Sequence, residues 1–297
     1  QTIVDLQPLT AKGDGGPSNE EKVLALVQDL LEKFPKPFDI AAVNKGIAAS
    51  QDPAPLKSVC KQEVDRYNGL LKALKRTLTS LELGVQGLVV ITAELEEIFS
   101  SLLLGRVPTA WGFCYPSLKA LAPWVDELLV RTEQMTNWIE KGFPISLWLS
   151  GLTYPTGMLT ALLQTSSRKN GIAIDTLSWE FPVLPHGDIG ALTAAPEEGT
   201  YVHGMFLEGA RWDLDSACLT DANPMQLNSP MPIVHFKPIE GKKRSKGMYV
   251  CPLYLYPIRT GTRERPSFMT EVDLKSGNKD STFWTKRGTA LLLSLAT

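Results

Sequence analysis

The sequence has few cysteines, few histidines and no long apolar run. Its four cysteines, Cys60, Cys114, Cys218 and Cys251, lie far apart and form no CxxC pair. This spacing indicates neither a zinc site nor a disulfide-stapled scaffold, and a reducing compartment is the simpler interpretation. No apolar stretch approaches the roughly 18–20 residues of a membrane-spanning helix.

A strong excess of either charge is also missing. The 297 residues include 30 Lys and Arg against 32 Asp and Glu, which gives a formal net charge of -2. Nucleic acids and anionic membranes attract proteins with a large basic excess, so the balance argues against both as the main partner. The protein is 43% hydrophobic and 21% charged, which is typical of a globular protein. It begins at Gln1 without a signal-peptide pattern, and we expect it to be a fragment of a longer protein.

The common catalytic motifs are absent. Residues 151–157 (GLTYPTG) are followed by Met158 and Leu159, where a phosphate-binding P-loop would have Lys and Ser or Thr. Ser150-Gly151 supplies only a serine next to a glycine, and the GxSxG motif of hydrolases is not complete. The sequence therefore predicts no catalytic residue, no cofactor site and no metal site.

An enzyme that uses a barrel interior as its pocket remains an alternative. The three histidines, His186, His203 and His235, have no metal-ligand spacing. Two of them fall in predicted strands, where a histidine within the barrel is the more common role. A pocket that brings His203 or His235 together with carboxylates would favour the enzyme.

The first half of the sequence has the period of amphipathic helices. Apolar residues recur at steps of one, three or four, as one buried helix face requires. A capping-box spacing at Ser18 and Glu21 and helix-ending Pro35 and Gly142 mark boundaries. Five helices are predicted, at residues 19–34, 39 to about 45, 55–81, 92–104 and 123–141.

The second half changes to a period of two, which is typical of strands. One further helix is predicted at about residues 155–169. The predicted strands are residues 145–149, 177–183, 201–208, 232–237, 248–256, 267–274 and 289–295, with loops at 11–17, 185–199 and 219–230. We therefore predict an α+β fold in which an N-terminal helical bundle (residues 1–142) precedes an antiparallel, incomplete β-barrel (residues 143–297).

One loop between two predicted strands is unusually basic. It contains Lys242, Lys243, Arg244 and Lys246. A solvated hairpin tip is the ordinary interpretation of such a cluster. The more specific interpretation is a docking loop for an acidic protein partner, and it predicts salt-sensitive binding.

Eight segments, in order along nearly the whole sequence, resemble the C-terminal region of dynein heavy chains. They are residues 87–99 (GLVVITAELEEIF), 115–119 (YPSLK), 148–152 (WLSGL), 179–181 (WEF), 204–213 (GMFLEGARWD), 231–233 (MPI), 249–252 (YVCP) and 284–292 (WTKRGTALL). The segments 263–268 (RERPSF) and 286–295 (KRGTALLLSL) most resemble axonemal dyneins of the two-headed inner-arm β type.

The resemblance implies a helical portion followed by an incomplete β-barrel, which agrees with the two halves of the sequence. It also implies a microtubule motor of cilia or flagella in which ATP and Mg are bound by AAA+ modules elsewhere in the heavy chain. The microtubule would be gripped by a separate stalk. In that family this region lies against the AAA+ ring of the same heavy chain, works beside other dynein subunits and tunes the motor's ATPase cycle. No catalytic or ligand residue is implied for this region.

Overall fold

The computed structural model describes residues 16–115, 117–185, 187–241, 246–257 and 267–295. Seven α-helices lie in this part of the protein, and five of them come before residue 142. They are α1 (Asn19–Lys33), α2 (Ile40–Ala49), α3 (Ala54–Val85), α4 (Ala93–Leu103), α5 (Leu121–Lys141), α6 (Pro155–Asn170) and α7 (Ser281–Arg287).

Helix ends follow the local signals of the sequence. The Ser18 hydroxyl accepts a hydrogen bond from the Glu21 N–H at 3.2 Å, while the Glu21 carboxylate accepts from the Ser18 N–H at 2.7 Å. This reciprocal pair is the predicted capping box. Gly171, with φ +67°, ends α6 in the left-handed region that glycine adopts without strain.

Eleven strands lie in the described residues after α5. They are β1 (Ser146–Trp148), β2 (Leu177–Glu180), β3 (Thr200–His203), β4 (Phe206–Glu208), β5 (Ala210–Asp213), β6 (Cys218–Asp221), β7 (Asn228–Pro230), β8 (Val234–Glu240), β9 (Met248–Tyr254), β10 (Phe268–Lys275) and β11 (Ala290–Leu292).

These strands form sheets that do not close into a barrel in the described residues. One sheet has the order β1-β3-β8-β2, a second has β10-β9-β11-β4-β7, and β5 pairs with β6. Most neighbouring strands are antiparallel, whereas β1 with β3 and β11 with β9 are parallel. The predicted α+β fold, helices first and then an incomplete barrel, is confirmed.

Several boundaries differ from the predictions for physical reasons. The predicted strand 201–208 is two strands, because Gly204 takes φ +76° between them. The predicted loop 219–230 contains the end of β6 and all of β7. Helix α7 was not predicted, although Asp280 caps its start by accepting from the Phe283 N–H at 2.8 Å.

The two halves share a continuous hydrophobic core that extends from Val23 on α1 to Leu293 just after β11. The long helix α3 lies at its centre and packs against α1, α4, α5 and α6. A stack of Trp111, Trp124 and Tyr115, with ring centroids 5.8 Å apart at each step, fills the helical part. The proposed boundary between residues 142 and 143 stays a prediction.

Candidate functional site

The turn between α3 and α4 exposes four consecutive apolar side chains. Leu88 is 68% exposed and Val90 is 87% exposed, and Val89 and Ile91 are also exposed. Contiguous exposed apolar residues on a globular domain mark interaction sites more often than isolated ones do. Residues 88–91 are called the apolar turn below.

The apolar turn is held by its backbone. Gly87 has φ +74°, and its N–H donates to the Gly84 carbonyl at 3.0 Å while the Leu88 N–H donates to the Leu83 carbonyl at 2.9 Å. This pair of bonds is a Schellman motif, which terminates a helix and fixes the direction of the next residues. Exposure of the apolar turn therefore comes from a defined backbone geometry.

Close packing of the apolar turn against α3 also defines its position. A Cβ atom at Gly84 would lie 3.3 Å from Ile91 and 3.9 Å from Val89, so the missing side chain leaves room for the turn to fold back on α3. At the far end, the Thr92 hydroxyl caps α4 by accepting from the Leu95 N–H at 3.4 Å.

Charged and polar side chains lie on α3 and α4, the two helices that the apolar turn connects. Arg76 on α3 and Glu94 on α4 form an exposed ion pair at 3.5 Å. Glu82 accepts a hydrogen bond from the Gln28 amide at 3.1 Å, which joins α3 to α1. An apolar centre with a polar rim is the general anatomy of a protein–protein contact.

The predicted basic loop lies largely outside the described residues. Lys242, Lys243 and Arg244 fall outside them, whereas Lys246 is described and exposed. Lys246 lies at the edge of a cleft of about 1010 Å³ that Trp179 and Trp212 also line. Docking of an acidic partner through this loop stays a prediction.

The two described histidines serve the packing of the β-rich half. His203 Nδ1 lies 2.8 Å from the Ser146 hydroxyl, and His235 Nε2 lies 2.7 Å from the Glu198 carbonyl. Burial lowers the pKa of His203. Burial, with Lys237 nearby, also lowers the pKa of His235. Neither imidazole lines the 1010 Å³ cleft or the 680 Å³ groove between α2 and α5, and His186 lies outside the described residues.

Metal sites, membrane spans and disulfides are missing from the described ranges. These ranges contain no group of three or more His, Cys, Asp or Glu side chains arranged to hold a metal ion. Over the same residues, no helix has both the length and the hydropathy needed to cross a membrane. The four cysteines all lie in the described part of the protein, and they form no disulfide with one another.

Comparison with known proteins identifies the class. A profile of the C-terminal domain of dynein heavy chains matches residues 1–293. The protein therefore belongs to this family of dynein C-terminal domains, as the eight sequence segments predicted.

Individual relatives are axonemal or flagellar dyneins. Over its whole length the protein is 53% identical to the dynein-1-beta heavy chain of the flagellar inner arm I1 complex from Chlamydomonas reinhardtii. Over 99% of its length it is 48% identical to mouse dynein axonemal heavy chain 2 and 35% identical to human dynein axonemal heavy chain 6. The predicted inner-arm resemblance is confirmed. The sequence spans 7% of the length of the first two relatives and 8% of the third.

Proposed function

We propose that this domain packs against the AAA+ ring of its own heavy chain and tunes the motor, and that the apolar turn is one of its contacts. The observation that carries the proposal is the exposure of residues 88–91 on a backbone fixed by the Schellman motif. A fixed apolar surface loses little conformational entropy when it docks, so more of the burial free energy appears as binding.

The mechanism is mechanical. A rigid domain bound to two ring modules favours those ring conformations in which both contacts are made. The shared hydrophobic core supports this role, because force applied at the helices is transmitted to the β-rich half through packed side chains. The sign of the effect on ATP turnover follows from which ring conformation makes both contacts.

The setting of this function comes from the relatives. Their names place them in axonemes and in a flagellar inner arm. We infer a role in the ciliary or flagellar axoneme, within a minus-end-directed microtubule motor that also contains other dynein subunits. ATP and Mg would be bound by AAA+ modules elsewhere in the heavy chain, and the microtubule would be contacted by other parts of it.

Substitution of the apolar turn in a complete heavy chain tests the proposal. Leu88→Asn with Val90→Ser removes apolar contact area and leaves Gly87 in place. Leu227→Asn is the matched control, because Leu227 is equally exposed at 66% but lies in the β-rich half. ATPase rate, stall force and run length are the readouts.

We expect the double variant to change at least one of these three quantities and the Leu227 control to change none. Unchanged values in the double variant would remove the apolar turn from the proposal. Deletion of the region equivalent to residues 1–297 tests the wider claim. If the deletion leaves all three quantities unchanged, the domain has no regulatory role.

A further inference from the structure

Negative charge is concentrated on both sides of the apolar turn in the sequence. Residues 77–105 contain Glu82, Glu94, Glu96 and Glu97 but no Asp, Lys, Arg or His, although the protein as a whole has 30 Lys and Arg against 32 Asp and Glu. Glu97 is engaged within the domain, because its carboxylate accepts from both the N–H and the hydroxyl of Thr109. The other three carboxylates are called the acidic rim below.

Glu82 lies on the α3 side of the apolar turn. The Leu88 N–H donates to the Leu83 carbonyl at 2.9 Å, so the turn begins beside the residue that follows Glu82. The Glu82 carboxylate is half-buried and accepts from the Gln28 amide at 3.1 Å. A neutral amide leaves the charge of a carboxylate uncancelled, so Glu82 contributes negative charge at this edge of the turn.

Glu94 and Glu96 lie on the α4 side. Both belong to the first turn of α4, and both are exposed. Leu95, which stands between them, lies 3.9 Å from the position that a Cβ atom would take at Gly84, and Ile91 of the apolar turn lies 3.3 Å from the same position. The start of α4 therefore packs on the end of α3 next to the apolar turn, and the two carboxylates flank that contact.

The positive charge near the acidic rim is smaller. Arg76 pairs with Glu94 at 3.5 Å, and the two side chains are 69% and 50% exposed. Among the described residues, neither Glu82 nor Glu96 takes part in an ion pair. The N-terminal end of α4 offsets about half an elementary charge at most. The apolar turn thus belongs to a surface with an excess of negative charge.

We propose that the part of the AAA+ ring that receives the apolar turn is an apolar surface edged by Lys or Arg side chains, which face the acidic rim. This inference rests on the docking proposed above and names the chemistry of the partner. Opposite charges at the edge of a contact fix its register and suppress wrong partners, since like charges placed together are unfavourable. The apolar centre supplies the burial of surface, and the charged edge selects where the domain docks.

Salt distinguishes this arrangement from a purely apolar contact. Exposed charges are screened over about 8–10 Å at physiological ionic strength, so the attraction between the acidic rim and a basic edge falls as salt rises. The hydrophobic contribution does not fall in this way, and strongly hydrated salts even strengthen it. Docking that weakens with added KCl is therefore expected only if charges of opposite sign meet.

Photochemical cross-linking in a complete heavy chain identifies the partner. The photoreactive residue p-benzoylphenylalanine replaces Gln86, which is exposed at the end of α3 and lies outside both the apolar turn and the acidic rim. Mass spectrometry locates the cross-linked segment and measures its yield. We expect a segment of an AAA+ module with Lys or Arg within a few residues, and a yield that falls about threefold between about 50 and 300 mM KCl.

Charge variants assign the salt effect to the acidic rim. We expect Glu96→Lys to lower the yield at low salt about fivefold, because it places like charges together. Glu32→Lys is the matched control, since Glu32 is also an exposed helical glutamate but lies near the opposite end of α1 from Ser18. Glu96→Gln guards against a folding defect caused by a positive charge at the start of α4, and about half of the original yield is expected for it.

The outcomes separate this inference from the docking on which it rests. A cross-link to the ring with a yield that ignores both salt and Glu96→Lys would leave the docking in place and overturn the basic edge. A cross-linked ring segment without Lys or Arg would do the same. A cross-link only to another dynein subunit, or no cross-link at all, would overturn the docking of the apolar turn together with this inference.

Discussion

Glu63 and Thr153 are 90 residues apart in sequence, yet the Glu63 carboxylate accepts a hydrogen bond from the Thr153 N–H at 2.6 Å. Its second oxygen accepts from the Tyr154 N–H at 3.0 Å and is paired with Arg66. One fully buried side chain on α3 thereby holds the backbone that leads into α6. The Tyr67 hydroxyl reinforces this contact by donating to the Gly151 carbonyl at 2.6 Å.

Replacement of Glu63 tests how much this contact stabilises the fold. Glu63→Gln keeps the shape of the side chain. Its amide NH2 group, however, faces one of the two backbone N–H groups that the carboxylate accepts from, and two donors form no hydrogen bond. We expect the free energy of unfolding to fall by about 2–3 kcal/mol, since hydrogen bonds to charged groups contribute about 1.5–3 kcal/mol. Urea denaturation measures this change. Glu32→Gln on the exposed face of α1 is the control, and an equal loss in both variants would contradict the role of Glu63.

Alanine substitution at two glycines with positive φ distinguishes the cost of backbone strain from the cost of steric overlap. Gly199 has φ +76°, and a Cβ atom there would lie 1.9 Å from the Phe236 carbonyl oxygen. Gly171 has φ +67° with no atom within 4 Å. We expect Gly171→Ala to cost about 1–2 kcal/mol from strain alone. Gly199→Ala adds overlap with β8, for which a further cost of about 1–3 kcal/mol is expected. Similar Tm values for the two variants would refute this difference.

Thiol labelling tests the environments of the cysteines. Burial, assisted by Asp52 and Glu63, raises the pKa of Cys60 to about 12. Cys218 is half-buried and lies beside the Ser216 hydroxyl. Because the thiolate is the reactive form, we expect a brief iodoacetamide pulse near neutral pH to modify Cys218 well before Cys60. Mass spectrometry of the digested protein identifies the site, and Cys218→Ser should abolish the fast reaction.

The lowered pKa values of two histidines predict that the stability of the protein depends on pH. Burial lowers the pKa of His203 and of His235 below the ordinary value of 6.5. Well above pH 6.5 both imidazoles are neutral in the folded and the unfolded protein, so they contribute no pH dependence. Below it the unfolded protein binds protons that the folded protein resists, and stability falls until the lower folded pKa values are passed.

Urea denaturation at about pH 7 and at about pH 5.5, on either side of the ordinary histidine pKa, measures this loss. We expect the double variant His203→Gln, His235→Gln to lose less stability between these two pH values than the unsubstituted protein does. A slope that is identical in the two proteins would show that other groups cause the pH dependence.

Elements with local sequence signals were predictable without the structure. The apolar period of α3, the capping box at Ser18 and the alternation of Met248–Tyr254 each act through neighbours in sequence, so they were predictable. The family was also predictable, because ordered motifs span nearly the whole sequence. By contrast, β7 and α7 are too short to show a period.

The roles of individual residues became visible only in the folded protein. Glu63 belongs to an ordinary polar stretch of α3, and only the return of the backbone at Thr153 makes it a buried partner. Val90 belongs to an apolar run that would suit a core strand, but the Schellman motif at Gly87 directs it outward. Burial depends on contacts between segments that are distant in sequence, and a local pattern does not show which distant segment will pack against it.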